Sequence, residues 1–253
     1  MKTYGIIPSR FGSSRFPGKP LAILAGKPLV AWVVEAVRKA RSLDEVLVAT
    51  DDERIVKAVE EYGGKAVMTP SELPSGTDRI ACAARNMLGA DFGDDDILVN
   101  IQGDEPLIDP ALIDALAGKL SEDARWSMAT AVTPLRTISD FNAKTVVKVV
   151  VDCNGGAMYF SRAPIPCDRD KEPELASGLF VRHLGVYAYR GEFLKRYIKE
   201  PPCALERTEK LEQLRALWMG AKIAVVKTDD EGIGVDTPED AKRVEKLLLE
   251  RES

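Results

Sequence analysis

Histidine is almost missing from this 253-residue chain, which has one, His183. Sites built on two or three imidazoles, such as H-E-x-x-H zinc proteases and carbonic-anhydrase-like centres, are therefore excluded. A Ser-His-Asp triad would have to use His183, and no G-x-S-x-G elbow supplies its serine. Cysteine is sparse and scattered. Cys82, Cys153, Cys167 and Cys203 form no C-x-x-C pair, which removes zinc ribbons and dithiol redox motifs and fits reduced thiols. No apolar run approaches the ~18 residues of a membrane span, and Pro8 and Arg10 interrupt the N-terminus before a signal-peptide core can build, so a cytoplasmic protein is expected. Positive charge is not in excess either: 35 Lys and Arg against 40 Asp and Glu leave a net charge of -5, which offers no field for a nucleic-acid polymer. Any anion site must be local.

What is present is ordinary globular material, 45% hydrophobic and 30% charged. At this length roughly 70–75% of the unfolded chain's surface can be buried on folding, so the core can stand without metal or disulfide staples. Strand-like runs alternate with amphipathic stretches: TYGIIPS (3–9), a helix over 28–41, EVLVAT (45–50), a helix ending at Gly63, KAVM (65–68), a helix over 78–88, DILVNIQ (96–102) and a helix over 110–120. This rhythm predicts an α/β, Rossmann-like, mostly parallel sheet with helices on both faces. After residue 125 strands crowd together (SMATAVTPL, TVVKVVVD, GGAMYFSR, HLGVYAYR), which predicts a smaller extra β element, partly antiparallel, in the C-terminal half. Residues 163–179 read as a long loop, LERTEKLEQLRALW (205–218) as one helix, KIAVVKT as a strand and the stretch from Pro238 as the last helix. Without linker, repeat or low-complexity segment, residues 1–253 are read as a single domain.

Chemistry concentrates at three places. IPSRFGSSRFPGKP interleaves Gly12, Ser13, Ser14 and Gly18 with Arg10, Arg15 and Lys19 ahead of a helix, the composition of a phosphate cradle. It is no Walker A loop, because Gly12 and Gly18 are spaced wrongly and Pro20 stands where Ser or Thr would hold magnesium. NIQGDEP leaves Asp104 and Glu105 at the carboxyl end of a strand, where a carboxylate can hold Mg²⁺, a hard ion that takes only one or two ligands from protein. A second acid comes from GVDTPED after a strand-like GIGV. Asp236 there fits two roles equally, metal ligand and helix N-cap. RHLGVYAYR places His183, Gly185 and Tyr187 on one face of a strand, suited to a polyhydroxylated anion, although a lone strand histidine is also an ordinary structural residue. Arg162 and Arg182 offer forks to a carboxylate, against a default of solvated surface arginine.

With these residues quoted, the chain resembles the 3-deoxy-manno-octulosonate cytidylyltransferases, or CMP-Kdo synthetases, over essentially its whole length. The carrying motifs are IPSRFGSSRFPGKPL, VATDDE, SGTDRIA, VNIQGDEP, VVKVVVD, YFSRAPIP, RHLGVYAYR, TEKLEQLRALW and GVDTPEDAKRV. The first alone is shared with many nucleotidyltransferases, while the ordered set, with FSRAPIP and RHLGVY, is specific. The resemblance implies the nucleotide-diphospho-sugar transferase type of fold and an enzyme that joins CTP to 3-deoxy-D-manno-octulosonate (Kdo), releasing pyrophosphate, for lipopolysaccharide synthesis. It implies a cytoplasmic homodimer. By motif, Arg10, Ser14, Arg15 and Lys19 would hold the CTP phosphates, with Ser75 and Arg79 near the cytosine. Gln102, Arg162, His183, Tyr187, Glu212 and Gln213 would surround the sugar, and Asp104 and Asp236 would bind Mg²⁺.

The sugar's anomeric hydroxyl is expected to attack the α-phosphorus in line, with Arg15 and Lys19 stabilising the departing pyrophosphate. Cys167 stands where relatives commonly carry an aromatic residue, and Arg207 where a histidine is familiar. These departures leave the reaction class untouched and bear on the fit of the sugar. The other readings carried forward are a cytidylyltransferase for 8-amino-Kdo or sialic acid, and a non-catalytic nucleotide-sugar binding protein.

Overall fold

The computed structural model describes residues 1–12, 15–73, 75–88 and 92–252. In chain order the elements are β1 (Thr3–Ser9), β2 (Ile23–Leu24), β3 (Lys27–Pro28), α1 (Leu29–Val37), β4 (Glu45–Thr50), α2 (Glu53–Glu61), β5 (Ala66–Met68), α3 (Gly76–Leu88), β6 (Ile97–Asn100) and α4 (Pro110–Glu122). There follow β7 (Met128–Pro134), α5 (Ile138–Asn142), β8 (Lys148–Val151), β9 (Ala157–Ser161), β10 (Val181–Arg190), α6 (Gly191–Tyr197), α7 (Ala204–Glu209), α8 (Gln213–Trp218), β11 (Ile223–Lys227) and α9 (Pro238–Glu252).

Among the described residues nine strands form one sheet, ordered β11-β7-β10-β6-β1-β4-β5, with β8 and β9 branching from β10. The pairs β6–β1, β1–β4, β4–β5 and β11–β7 are parallel. Strand β10 runs antiparallel to both β6 and β7, and the β8–β9 pair is also antiparallel, so the extra β element is an antiparallel extension of the main sheet. The period of two explains why helices cover both faces. Ile7, Val48 and Val99 pack into one apolar cluster with Val33 and Val34 of α1, Val59 of α2 and Leu116 of α4. Their neighbours Ile6, Ala49 and Leu98 face the other way, against Ile80 and Ala84 of α3, Leu194 of α6 and Leu214 of α8. No helix among the described residues is long and apolar enough to cross a membrane.

Four local features depart from the sequence reading. The glycine-rich loop leads into a single 3-10 turn (Lys19–Leu21) and the β2–β3 hairpin, and α1 begins only at Leu29. The hairpin and α9 share a small core of Leu24, Leu29, Trp32, Val235, Val244 and Leu248. GIGV forms no strand; it stays extended enough for Val235 N to donate to Asp104 O at 2.9 Å. The third departure is a pair of short helices absent from the reading, α5 and α6. The fourth is the expected 205–218 helix, which is two helices broken at Lys210, whose φ of 55° is left-handed.

Candidate active site

The order of strands reverses at β1, with β4 on one side and β6 on the other, and open α/β sheets bind ligands at such a switch point beyond the carboxyl ends of the strands. A cavity of about 390 Å³ lies there. From β1 and its loop it is lined by Ser9, Arg10, Gly12, Arg15 and Lys19, from the β6 end by Gln102, Gly103 and Asp104, and from the start of α9 by Asp236. Five of the expected phosphate and metal residues thus meet: Arg10, Arg15, Lys19, Asp104 and Asp236. Ser14 lies outside the described residues. Gly103 lets the β6 turn approach β1, since a Cβ there would stand 2.6 Å from Pro8 O. Ser9 was not singled out in the sequence. It is the last residue of β1, buried, with a hydroxyl that has no partner among the described residues, so a ligand phosphate or water is its natural acceptor.

Lys19 organises the charges. Its Nζ donates to Asp104 Oδ2 at 2.6 Å and to Asp236 Oδ1 at 3.3 Å, and Arg15 lies 2.9 Å from the same Asp236 oxygen. The capping role falls to the neighbour of Asp236. The Thr237 hydroxyl accepts from Asp240 N, and the Asp240 carboxylate accepts from Asp236 N, Thr237 N and the Thr237 hydroxyl, a closed cap that leaves the Asp236 carboxylate to the cleft. Two hard carboxylates beside a cationic phosphate cradle fit Mg²⁺, which completes its shell with phosphate and water oxygens. Among the described residues no group of three or more His, Cys, Asp or Glu is gathered as a metal cage. Glu105, next to Asp104, has its carboxyl pushed up to about 8 by burial and by the charges of Asp104 and Asp230, with Arg182 opposing.

A second cavity of about 300 Å³ adjoins the first through Gln102, which lines both. Gln102, His183, Tyr187, Glu212 and Gln213 meet there as the resemblance implied, joined by Thr77, Asn100 and Lys210, which sequence reasoning passed over. Asn100 was legible only as the end of a strand; its register opposite Tyr187 puts it on the cleft. Gln102 Nε2 donates to Gly185 O at 2.6 Å, Tyr187 OH to Gln213 Oε1 at 3.1 Å, and Thr77 Oγ1 to Glu212 Oε2 at 3.0 Å. Burial pushes the Glu212 carboxyl up and the Tyr187 and Tyr189 phenols up. Asn100 Oδ1 and Gln213 Nε2 are buried without partners among the described residues, one acceptor and one donor available to a polyhydroxylated ligand.

Four expected site residues are placed elsewhere. Arg162 lines neither cavity: its Nε donates to Glu209 O at 2.7 Å, Nη1 to Lys144 O at 2.9 Å and Nη2 to Lys210 O at 3.4 Å. Its backbone N donates to Glu209 Oε2, whose Oε1 accepts from Ser161. Arg162 therefore holds the α7–α8 break, because its fork finds carbonyls within reach before any ligand. Arg79 is wholly buried, donating to Thr69 Oγ1 at 2.5 Å and Asp51 Oδ2 at 3.2 Å, while Asp51 Oδ1 accepts from Phe11 N of the phosphate loop. It supports that loop from beneath. Ser75 exchanges hydrogen bonds with Asp78 at the start of α3 and lines neither cavity. Arg182 donates to Glu231 O at a separate surface recess.

A doubly wound sheet whose switch point carries a cationic phosphate cradle, paired carboxylates and an adjoining polar cleft defines a nucleotidyltransferase. A family profile described as cytidylyltransferase matches residues 4–223. The chain is 51% identical over 255 residues to a 3-deoxy-manno-octulosonate cytidylyltransferase of Geobacter sulfurreducens, covering 98% of this chain and 100% of the relative. It is 48% identical over 249 residues to the protein of that name from Bdellovibrio bacteriovorus, covering 98% of each. A solved CMP:2-keto-3-deoxy-manno-octonic acid synthetase complexed with CTP superposes with a TM-score of 0.90 at 37% identity, covering 99% of this chain and 100% of that one. A cytidylyltransferase structure from Leptospira borgpetersenii, at 17% identity and TM-score 0.65, shares the fold. The chain belongs to the 3-deoxy-manno-octulosonate cytidylyltransferase family.

Proposed function

We propose that this enzyme transfers CMP from CTP to the anomeric hydroxyl of Kdo, giving CMP-Kdo and pyrophosphate for lipopolysaccharide synthesis. The observation that carries this reading is Gln102, which lines both the phosphate cleft and the polar cleft, so a nucleotide in one lies beside a sugar in the other. The sugar oxygen attacks the α-phosphorus as the bond to the pyrophosphate oxygen breaks, and no protein nucleophile is needed. The work of the chain is to position the reactants and balance charge. Arg10, Arg15 and Lys19 bind the triphosphate, and Lys19 and Arg15 neutralise charge gathering on the leaving group. Asp104 and Asp236 would hold Mg²⁺, which when bound supplies further neutralisation and Lewis acidity. Gln102, Tyr187, Glu212 and Gln213 orient the sugar, and buried Arg79 keeps the phosphate loop in place through Asp51.

The enzyme is further read as a cytoplasmic homodimer. Free thiols at all four cysteines suit a reducing compartment. The test of function is pyrophosphate release with CTP and Mg²⁺, comparing Kdo, 8-amino-Kdo, sialic acid and no sugar, CTP against UTP, and each with EDTA. Release with CTP and Kdo that EDTA abolishes is the expected result. Release with another sugar alone overturns the substrate, and CTP binding without release overturns the transfer in favour of a nucleotide-sugar binding protein.

A further inference from the structure

His183 lines the sugar cleft from β10, and its ring is gripped from the neighbouring strand by Thr130, whose Oγ1 lies 2.8 Å from His183 Nε2. Thr130 is wholly buried. A threonine hydroxyl has one proton to give and lone pairs to accept with. The same Oγ1 lies 2.8 Å from Val186 O and 3.4 Å from Leu184 O, within the register slip of β10 between Leu184 and Tyr187. A carbonyl oxygen can only accept, so the Thr130 proton points at Val186. The opposite choice, donation to the ring, would set two lone-pair oxygens 2.8 Å apart. With its proton used, Thr130 can only accept from the imidazole, and Nε2 must carry a hydrogen.

Burial keeps the ring neutral, its pKa lowered to about 3. Phe160 packs edge-on against it at 5.2 Å between centroids and Tyr187 lies tilted at 5.3 Å, so two aromatic rings hold it in place. A neutral imidazole has one N–H, and with that hydrogen on Nε2 the other nitrogen is a bare lone pair.

We infer that Thr130 is a positioning residue that locks His183 in its Nε2–H tautomer, so that Nδ1 serves the sugar cleft as an acceptor for a sugar hydroxyl. The inference rests on the reading of the second cleft as a sugar site. It explains how the one histidine can serve as an acceptor without titrating, since a bare nitrogen lone pair takes an O–H and offers no hydrogen of its own.

Because His183 is the only histidine, long-range ¹H–¹⁵N correlation on protein labelled with ¹⁵N-histidine reads its tautomer without assignment. Protein free of substrate is expected to show Nε2 protonated and Nδ1 bare, as is Thr130→Ser. Thr130→Val is expected to lose the single tautomer and to raise KM for Kdo about fivefold, the worth of one neutral hydrogen bond, with KM for CTP and kcat within about twofold; Thr130→Ser restores KM. A proton on Nδ1 in the wild type overturns the inference, as does a Thr130→Val protein with unchanged tautomer and KM. If Thr130→Val does not fold, the wild-type and Thr130→Ser spectra decide. The spectrum is independent of turnover, so failure of the Kdo assignment in the pyrophosphate assay is distinguishable from failure of the tautomer assignment.

Discussion

Lys19, Asp104 and Asp236 form one electrostatic unit, and substitutions within it are not interchangeable. Asp104→Asn keeps the volume but removes a formal charge from the carboxylate pair. A fall in kcat of at least about two orders of magnitude, roughly 2.7 kcal/mol of barrier, is expected in steady-state pyrophosphate release. Wild-type turnover in that variant would remove Asp104 from the mechanism. Lys19→Ala deletes the cation shared by both carboxylates and the leaving phosphates, so kcat should drop roughly 100-fold while CTP affinity changes less. Comparing kcat with CTP binding by calorimetry separates the two, and unchanged turnover excludes the role. His183 makes a prediction of opposite kind. Its folded pKa of about 3 lies below the usual value of 6.5, so between those pH values the unfolded chain binds a proton that the folded one refuses. The His183 contribution is intact above pH 6.5 and is lost as pH falls toward 3. Urea midpoints at pH 7 and 5 should therefore draw apart in the wild type more than in His183→Asn, and equal differences would show that the ring titrates freely.

Between residues and fold, the break between α7 and α8 decides the second cleft. TEKLEQLRALW has uninterrupted helical periodicity, and nothing in its composition marks Lys210 as left-handed. The break is imposed from outside by Arg162 on the Glu209 and Lys210 carbonyls, by Glu209 on Ser161, and by the buried Glu206–Arg215 pair, whose two hydrogen bonds of 2.9 Å span it. The interruption presents Glu212 and Gln213 to the cleft. Arg162→Ala should accordingly raise KM for Kdo by about tenfold and lower Tm together, with KM for CTP little changed, because it loosens an element. A direct ligand contact would move KM and leave Tm alone. Lys148 behaves similarly: wholly buried in an apolar strand run, its ammonium is satisfied by the carbonyls of Ala143, Val146 and Arg162. The strand itself was legible from its β-branched run; the partners of its one charge were not.

For the whole molecule, the first cleft is assembled from β1, β6 and the start of α9, segments far apart in sequence that only the folded sheet and its packed helices bring together. CTP should therefore clamp the fold as a unit. At about 100 times its Kd it is expected to add about 2.7 kcal/mol to unfolding, roughly 5–10 °C in Tm for a chain of this size, in scanning calorimetry with Mg²⁺. A shift confined to a minor, separate transition would show that the cleft does not couple to the global fold.

What the sequence determined by itself is everything carried by near neighbours. The alternating apolar runs set β1, β4, β6 and the helices on both faces, the absence of paired histidines and cysteines removed whole reaction classes, and the compositions of the glycine-rich loop and of NIQGDEP marked Arg10, Lys19 and Asp104. Tertiary structure decided what depends on partners far along the chain. Whether Asp236 caps or faces the cleft turned on Thr237, Asp240 and on Lys19, 217 residues away. Whether Arg162 met ligand or backbone turned on the path of α7. The proton on His183 turned on Thr130, 53 residues distant, whose single hydroxyl hydrogen had already been claimed by a carbonyl in a strand bulge. Periodicity is local and can be read along the chain, whereas the direction of a hydrogen bond between distant strands exists only once the sheet has set their register.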